Sequence, residues 1–271
     1  MRDLEGRVAI VTGGTRGIGA AIAARLLWAG ASVVVCGRTK PGELPSGGGR
    51  EAEFVQADVR EPADAAAVVD YAVATFGRLD IAVNNAGGSP NADAATVSPR
   101  FVAKIVALNL LAPFYVAQAA NAVMQRQAEG GVVINIGSVV ADNPAPGAAA
   151  YAAAKGGLTV LTRALALEFG PRVRVCQVTA GLVRTEMSRD YYGDEAAQDA
   201  VASLIPAGRM AVPDDIASAC LLLASPLAGY VSGAELRVHG GGEIPGRFAV
   251  ARPWAAESKV EYQRGATDFD H

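Results

Sequence analysis

Short, nearly continuous apolar runs alternate along the chain with longer segments in which apolar residues recur at helical spacing. The short runs predict seven strands, at residues 8–11, 32–36, 53–57, 81–83, 131–136, 173–178 and 235–238. The longer segments predict helices, at residues 18–28, 63–76, 100–126, 151–169 and 214–223. Apolar strands alternating with helices predict an α/β fold in which a doubly wound parallel sheet is covered by helices on both faces.

Two segments depart from this alternation. Residues 41–49 are rich in Gly and Pro and predict a loose loop where a helix would normally join two strands. Residues 247–271 are a polar C-terminal extension, whereas residues 1–246 read as one domain without repeats or linkers. We hypothesise that Trp254 or Tyr262 of this extension docks on a neighbouring subunit.

Composition narrows the possible functions. The chain has 271 residues, of which 51% are hydrophobic and 19% charged, with a net charge of −3, so we expect a buried core and no nucleic-acid surface. The first residues do not resemble a secretory signal, and the longest apolar stretches fall far short of the roughly 20 residues that span a bilayer. Cys36, Cys176 and Cys220 are widely spaced and read as reduced, so we expect a cytoplasmic protein. With only His239 and His271, neither a metal site nor a histidine-based triad is expected.

A glycine-rich turn joins the first predicted strand to the first predicted helix, with the sequence Thr-Gly-Gly-Thr-Arg-Gly-Ile-Gly at residues 12–19. Glycines let the backbone approach a pyrophosphate, and a helix N-terminus supplies N–H groups and partial positive charge. This position predicts a dinucleotide-binding turn. A plain turn with no ligand is the competing interpretation.

Tyr151 and Lys155 lie four residues apart and share one face of a predicted helix. A tyrosine has a pKa near 10, and a cation about 6 Å away at an effective dielectric of about 20 lowers that pKa by about 2. The pair therefore predicts an acid–base tyrosine supported by a lysine. Ser138, thirteen residues before Tyr151, strengthens this interpretation over that of a solvated helix face.

Taken together, these motifs resemble the short-chain dehydrogenase/reductase family over roughly residues 4–243. The resemblance also rests on Asn-Asn-Ala-Gly at residues 84–87, and residues 134–140 look like the 3-oxoacyl-carrier-protein reductase branch. It implies a single-domain Rossmann fold, a nicotinamide cofactor and a homotetramer or homodimer. It also implies that the chain acts on a small-molecule carbonyl or alcohol and binds neither membrane nor nucleic acid.

The resemblance implies a role for each matching residue. Tyr151 would exchange a proton with the substrate oxygen, Ser138 would polarise that oxygen, and Lys155 would lower the pKa of the tyrosine and bind the nicotinamide ribose. Asn109 would anchor a water that relays protons, although an Asn that only satisfies backbone groups in a kinked helix fits as well. The implied cofactor contacts also include Gly13, Thr15, Arg16, Gly17, Ile18, Gly19, Arg38, Asp58, Val59, Asn85, Ala86, Gly87, Gly181, Val183 and Thr185.

The choice between NAD and NADP(H) depends on the end of the second strand, and two positions in that set, Arg16 and Asp58, carry alternatives. An acidic residue at the end of the second strand would select NAD, but Gly37 stands there and Arg38 follows, so NADP(H) is expected with Arg38 and Arg16 on the 2′-phosphate. Arg16 could instead be a solvated loop residue. Asp58 could bind adenine or simply cap the next helix.

The sequence also departs from the family in places. Ala180 stands where family members usually have Pro before Gly181, and His239 stands where Asp is more common. Residues 184–210 resemble the variable substrate-binding lid. The leading hypothesis is an NADP(H)-dependent reductase of a ketone or 3-oxoacyl compound. The alternatives are a sugar, polyol or steroid alcohol dehydrogenase and a non-catalytic nucleotide-sensing protein.

Overall fold

The computed structural model describes residues 4–244 and shows an α/β architecture. Strands β1 to β9 are, in chain order, Val8–Thr12, Ser32–Gly37, Ser46–Gly47, Arg50–Glu51, Glu53–Gln56, Ile81–Asn84, Gly131–Ser138, Val173–Ala180 and Glu235–Val238. Helices α1 to α8 are Gly17–Trp28, Pro62–Phe76, Pro99–Val106, Ala112–Met124, Ala149–Phe169, Ser188–Tyr192, Glu195–Ser203 and Pro213–Ala224. The predicted alternation of strands and helices is confirmed.

Seven of these strands form one parallel sheet in the order β5-β2-β1-β6-β7-β8-β9. From β1 the chain first builds outward through β2 and β5, then returns to the other side of β1 and continues from β6 to β9. The order therefore reverses between β1 and β6. In doubly wound sheets, the carboxyl ends of the strands at such a reversal frame the ligand-binding crevice.

Helices cover both faces of the sheet, and each face has its own apolar core. On one face, Leu26 of α1 and Ile216 of α8 are fully buried against the strands. On the other, Val68 of α2, Val116 of α4 and Leu165 of α5 fill the second core. Because both faces are covered, the central strands are apolar on both sides, which is why they read as continuous hydrophobic runs.

The long helix predicted at residues 100–126 is not regular. A π-helical turn, Ala107–Leu111, separates α3 from α4. Pro113 lies at the start of α4, where a residue without a backbone N–H disturbs the regular ladder of hydrogen bonds. The segment Pro99–Met124 is also long and apolar enough to cross a membrane by length and composition, contrary to the sequence-based expectation, but it is a core helix of this fold.

The prediction of a loop holds for residues 41–45, which form neither helix nor strand, but is wrong for residues 46–49. Strands β3 and β4 form a small antiparallel hairpin, and its residues Gly47 and Gly48 pack against α1. A Cβ atom at Gly47 would lie 3.1 Å from the backbone nitrogen of Trp28 and would overlap the carbonyl oxygen of Ala24, so only glycine allows this approach. Trp254 and Tyr262, by contrast, lie outside the described residues.

Candidate active site

A set of hydrogen bonds joins the carboxyl ends of β1 and β6, where the strand order reverses. The hydroxyl of Thr12 accepts hydrogen bonds from the backbone nitrogens of Asn85 and Ala86, both at 3.0 Å. In return, Nδ2 of Asn85 donates to the carbonyl oxygens of Thr12 at 2.9 Å and Gly13 at 3.1 Å. Asn85 therefore shapes the turn rather than facing a ligand with its amide. Thr12 is a positioning residue that sequence reasoning passed over, although it opens the glycine motif.

The glycine-rich turn is packed so closely that side chains are excluded. Gly13 has a φ of +60°, and a Cβ atom there would lie 3.0 Å from Cα of Ala86. A Cβ atom at Gly14 would lie 2.6 Å from Cγ1 of Val35, and one at Gly19 would overlap the carbonyl oxygen of Gly13. The motif glycines thus bring the N-terminus of α1 directly over the edge of the sheet.

The rest of the turn surrounds this cradle. Ile18, in the first turn of α1, packs against the core, and Thr15 faces Gly37 at the end of β2. Arg16 occupies the N-cap position of α1 with an exposed side chain that makes no capping hydrogen bond. Arg38 is exposed beyond the end of β2. The structure therefore brings both arginines to the same end of the strands.

Asp58 does not cap the following helix. Helix α2 has Glu61 as its N-cap, and the carboxylate of Asp58 instead pairs with the guanidinium of Arg60. The hydrogen bond from Arg60 holds the pKa of Asp58 below its ordinary value, and the charge of Arg38 acts in the same direction. Val59 is buried beside it in the core. The capping alternative is wrong because the chain turns once more before α2 begins.

Tyr151, Lys155 and Ser138 meet where α5 crosses the end of β7. The ammonium nitrogen of Lys155 lies 5.7 Å from the centroid of the Tyr151 ring. Burial raises the pKa of Tyr151 to about 12, and the Ser138 hydroxyl only partly offsets this effect. The prediction that Lys155 holds the tyrosine pKa below its ordinary value is therefore not met in this structure, because desolvation of the phenolate is the larger effect.

Lys155 is itself almost completely buried. Its ammonium group donates a 2.7 Å hydrogen bond to the carbonyl oxygen of Ile136, and burial lowers its pKa to about 8. Asn109, fully buried in the π-helical turn, accepts from the backbone nitrogen of Gly88 at 2.9 Å and donates to its carbonyl oxygen at 3.0 Å. A Cβ atom at Gly87 would lie 2.8 Å from Oδ1 of Asn109 and 3.4 Å from Nζ of Lys155, so these groups surround one glycine.

The end of β8 forms the other wall of the site. Gly181 packs so closely on β9 that a Cβ atom would lie 2.7 Å from Cα of His239. Val183 is buried and bridges to Ala211. The side chain of Thr185 approaches the glycine cradle, with Cγ2 3.9 Å from the position of a Cβ atom on Gly17.

Residues 184–210, the segment predicted to be a substrate-binding lid and called the lid below, follow this wall. The lid contains α6 and α7 and has a small apolar cluster of its own, made by Ala202, Ile205 and Met210. A cleft of about 220 Å³ lies between the lid and the loop after Ser138. Its lining is mixed, with Val139, Leu182 and Ile205 beside Asp142, Asn143, Arg237, His239 and Glu243.

The residues present fit a nicotinamide dinucleotide. The glycine-rich turn leaves the N-terminus of α1 accessible to an anion. A carboxylate already binds there, since the backbone nitrogen of Gly17 donates a hydrogen bond to Glu186 at 3.2 Å. Ser138, which hydrogen-bonds Tyr151, ends β7 in the same sheet. Among residues 4–244, no group of three or more potential metal-ligating side chains is present.

Comparison with known proteins agrees with this geometry. Residues 13–243 match the family model described as enoyl-(acyl carrier protein) reductase. The chain is 38% identical to D-threitol dehydrogenase of Mycolicibacterium smegmatis, covering 88% of this chain and 93% of the relative. It is 36% identical to 3-oxoacyl-[acyl-carrier-protein] reductase of Vibrio cholerae, covering 88% and 98%. These two relatives, nearly equally similar, carry different activities.

A solved structure shows the same architecture. The short-chain dehydrogenase/reductase from Serratia marcescens superposes with a TM-score of 0.78 at 35% identity, covering 88% of this chain and 98% of that one.

Proposed function

This chain belongs to the short-chain dehydrogenase/reductase family and is an oxidoreductase acting on alcohol or carbonyl groups, and on that premise we propose that it is an NADP(H)-dependent reductase of a ketone or 3-oxoacyl compound. The observation that carries the proposal is the partly buried Tyr151, with Ser138 and Lys155 beside it. The bound nicotinamide would supply the hydride chemistry.

Tyr151 is suited to donate a proton. With its pKa raised to about 12, the phenol stays protonated at neutral pH and can give its proton to an oxygen on which negative charge develops. Ser138, at the end of β7, would hold and polarise the same oxygen. In alcohol oxidation Tyr151 would instead have to lose its proton before it could accept one from the substrate.

Lys155 and Asn109 would return a proton to Tyr151. The pKa of Lys155, lowered to about 8, lies close enough to neutral pH for the ammonium group to give up and regain a proton easily. Asn109 stands across Gly87 from that nitrogen and would continue the path. Its hydrogen bonds to Gly88 show that it also satisfies backbone groups, so the two interpretations of Asn109 are compatible.

NADP(H) is the proposed cofactor because cations stand where an NAD-selecting acid would be. Gly37 ends β2 without a carboxylate, and the exposed Arg38 and Arg16 lie at that end. The neighbouring carboxylate of Asp58 is paired with Arg60, so its charge is compensated. Guanidinium groups suit a 2′-phosphate through charge and paired hydrogen bonds.

A sugar or polyol dehydrogenase is the second candidate. The cleft beside Ser138 is lined by hydrogen-bonding groups, including Asp142, Asn143 and His239, which suit a hydroxylated substrate. The relative D-threitol dehydrogenase acts on such a compound by its name. A non-catalytic nucleotide sensor is disfavoured because Asn109, Ser138, Tyr151 and Lys155 are all present.

We further propose that the protein is a homotetramer or homodimer and is cytoplasmic. Helix α5 presents exposed apolar side chains at a spacing of seven residues, Ala153, Val160 and Leu167, the last two 63% and 85% exposed. An apolar stripe on a covering helix suits contact with a second copy. The three cysteines are free and buried, which suits a reducing compartment.

The reaction is tested by following NADPH absorbance over a panel of ketones, 3-oxoacyl thioesters and hydroxyketones. We expect turnover on at least one ketone or thioester, and a loss of about 100- to 10,000-fold in Tyr151→Phe, which keeps the ring but lacks the proton. NADPH binding by the variant should be unchanged. Full activity in Tyr151→Phe, or no turnover on any carbonyl, would contradict the proposal, and a preference for hydroxyketones would favour the second candidate.

Cofactor choice is tested by comparing the dissociation constants of NADPH and NADH. We expect NADPH to bind at least about tenfold more tightly, with Arg38→Ala removing most of that preference by weakening NADPH alone. Equal or tighter binding of NADH by the wild-type protein would overturn the assignment.

A further inference from the structure

Glu186, at the root of the lid, places its carboxylate on the N-terminus of α1. The backbone nitrogen of Gly17 donates to Oε1 of Glu186 at 3.2 Å, and Oε2 lies 3.4 Å from the position of a Cβ atom on Gly17. The first turn of α1 has no acidic residue, and Arg16 at the N-cap offers no side-chain acceptor. A carboxylate from 169 residues further along the chain therefore meets the positive end of this helix.

The same place is required by the cofactor. An anion at a helix N-terminus is stabilised by the free N–H groups and by the helix dipole, and in this fold the cofactor's pyrophosphate takes that position. Two anions cannot share one N–H group without strong repulsion. We propose that Glu186 occupies the pyrophosphate position in the cofactor-free protein, must be displaced when the dinucleotide binds, and thereby sets cofactor affinity. This inference rests on the proposed function.

The lid segment around Glu186 is held firmly. The hydroxyl of Ser188, itself buried, accepts from the backbone nitrogen of Thr185 at 2.7 Å and donates to the carbonyl oxygen of Val183 at 3.3 Å. On the exposed side, Arg16 contacts the sulfur of Met187 at 3.9 Å. The chain on both sides of Glu186 is thus tied to the wall of the site and to the glycine turn.

Displacement of Glu186 would affect Tyr151 through the two tyrosines of α6. The hydroxyl of Tyr191 lies 3.5 Å from the carbonyl oxygen of Ser89, and the rings of Tyr191 and Tyr192 lie 6.4 Å apart. Both hydroxyls are near enough to Tyr151 to oppose its ionisation. Because Glu186 lies two residues before α6, displacement of its side chain by the pyrophosphate would change the surroundings of Tyr151 through α6 and couple cofactor binding to the proton-transfer site.

The test is the binding of NADPH to Glu186→Gln, measured by NADPH fluorescence and by calorimetry without substrate. The substitution keeps the size of the side chain but removes its charge. We expect the dissociation constant to fall by about tenfold, equivalent to about 1.4 kcal/mol. Glu195→Gln is the matched control, because Glu195 is an exposed lid carboxylate in the first turn of α7, and its dissociation constant should be that of wild type.

A ligand control separates the pyrophosphate from the rest of the cofactor. Adenosine 2′-phosphate carries no pyrophosphate, so Glu186→Gln should bind it with wild-type affinity. Equal tightening for this ligand and for NADPH would show a general change in the site and would overturn the proposal. Glu186→Ala provides a second variant, which should also tighten NADPH binding.

The possible failures are distinguishable. An unchanged or weaker affinity of Glu186→Gln for NADPH, in a protein that turns over a carbonyl compound, overturns the inference alone. Tighter binding in the variant without turnover on any carbonyl supports the inference and contradicts the proposed reaction. A wild-type protein that binds neither NADPH nor NADH overturns both.

Discussion

At the scale of single residues, burial controls the acid–base behaviour of the site more than charge does. Tyr151 and Lys155 are four residues apart, and proximity alone suggested that the lysine makes the tyrosine more acidic. In the structure, burial disfavours the charged form of each group, raising the pKa of Tyr151 to about 12 and lowering that of Lys155 to about 8. The pKa values of the two groups, nearly equal in water, therefore move apart, while both groups remain predominantly protonated at neutral pH.

A prediction on pH and stability follows for Lys155. Between pH 8 and pH 10.5 an unfolded lysine keeps a proton that the folded one has lost, so the unfolded chain binds more protons and stability rises with pH. Relative to Lys155→Met, the wild-type free energy of unfolding should rise by about 3 kcal/mol across this window and stay level below it. Urea unfolding of both proteins at several pH values measures the difference, and parallel curves would contradict the burial effect.

At the scale of elements, the site depends on two irregular connections between otherwise regular segments. The π-helical turn Ala107–Leu111 directs Asn109 into the site, where its amide holds both backbone groups of Gly88. The turn between β1 and α1 brings the N-terminus of the helix over the edge of the sheet, because its glycines have no side chains that would collide with the neighbouring backbone. Each departure from regular geometry thus positions a group that the proposed chemistry needs.

Gly19→Ala tests the second connection. A methyl group at Gly19 would overlap the carbonyl oxygen of Gly13, so the turn must shift, and we expect a loss of about 1–3 kcal/mol in stability and at least about tenfold weaker NADPH binding. Gly156→Ala is the matched control, since nothing lies within 4 Å of its Cβ position in α5. That variant should gain up to about 1 kcal/mol and bind NADPH normally. Normal binding by Gly19→Ala, measured by fluorescence titration, would argue against the cradle.

At the scale of the whole molecule, covering helices and a buried polar network hold the half of the sheet that carries the catalytic groups. Asn84, Asn135, Thr162, Gln177 and Thr179 form side-chain contacts from β6 across α5 to β8, and Thr179 donates to Glu235 on β9 at 2.7 Å. Buried polar groups are stabilising when they are paired, and this network fixes the register of four strands beneath α5. The outer surface of α5 exposes Val160 and Leu167 beside the charged Arg163 and Glu168, and it is the surface that we propose as a subunit contact.

The α5 stripe makes the assembly testable. We expect Val160→Glu combined with Leu167→Glu to lower the molar mass measured by light scattering, to that of a dimer or a single chain, because buried charges oppose association. Leu227→Glu, which alters an equally exposed residue away from α5, is the control and should leave the mass unchanged. A fall in mass only in the control would move the contact to the α8 side, and a wild-type monomer would contradict the proposed assembly.

The sequence by itself determined how strands and helices alternate along the chain, where the glycine motif lies and how Tyr151 and Lys155 are spaced. These features depend on neighbours within a few turns of chain, and periodicity reports them directly. Only the tertiary structure decided the hairpin on α1, the pairing of Asp58, the pKa directions at the site and the contact between Glu186 and Gly17. Each of these features depends on burial or on the packing of segments up to 169 residues apart in the chain. Neither burial nor such packing can be inferred from the pattern of neighbouring residues.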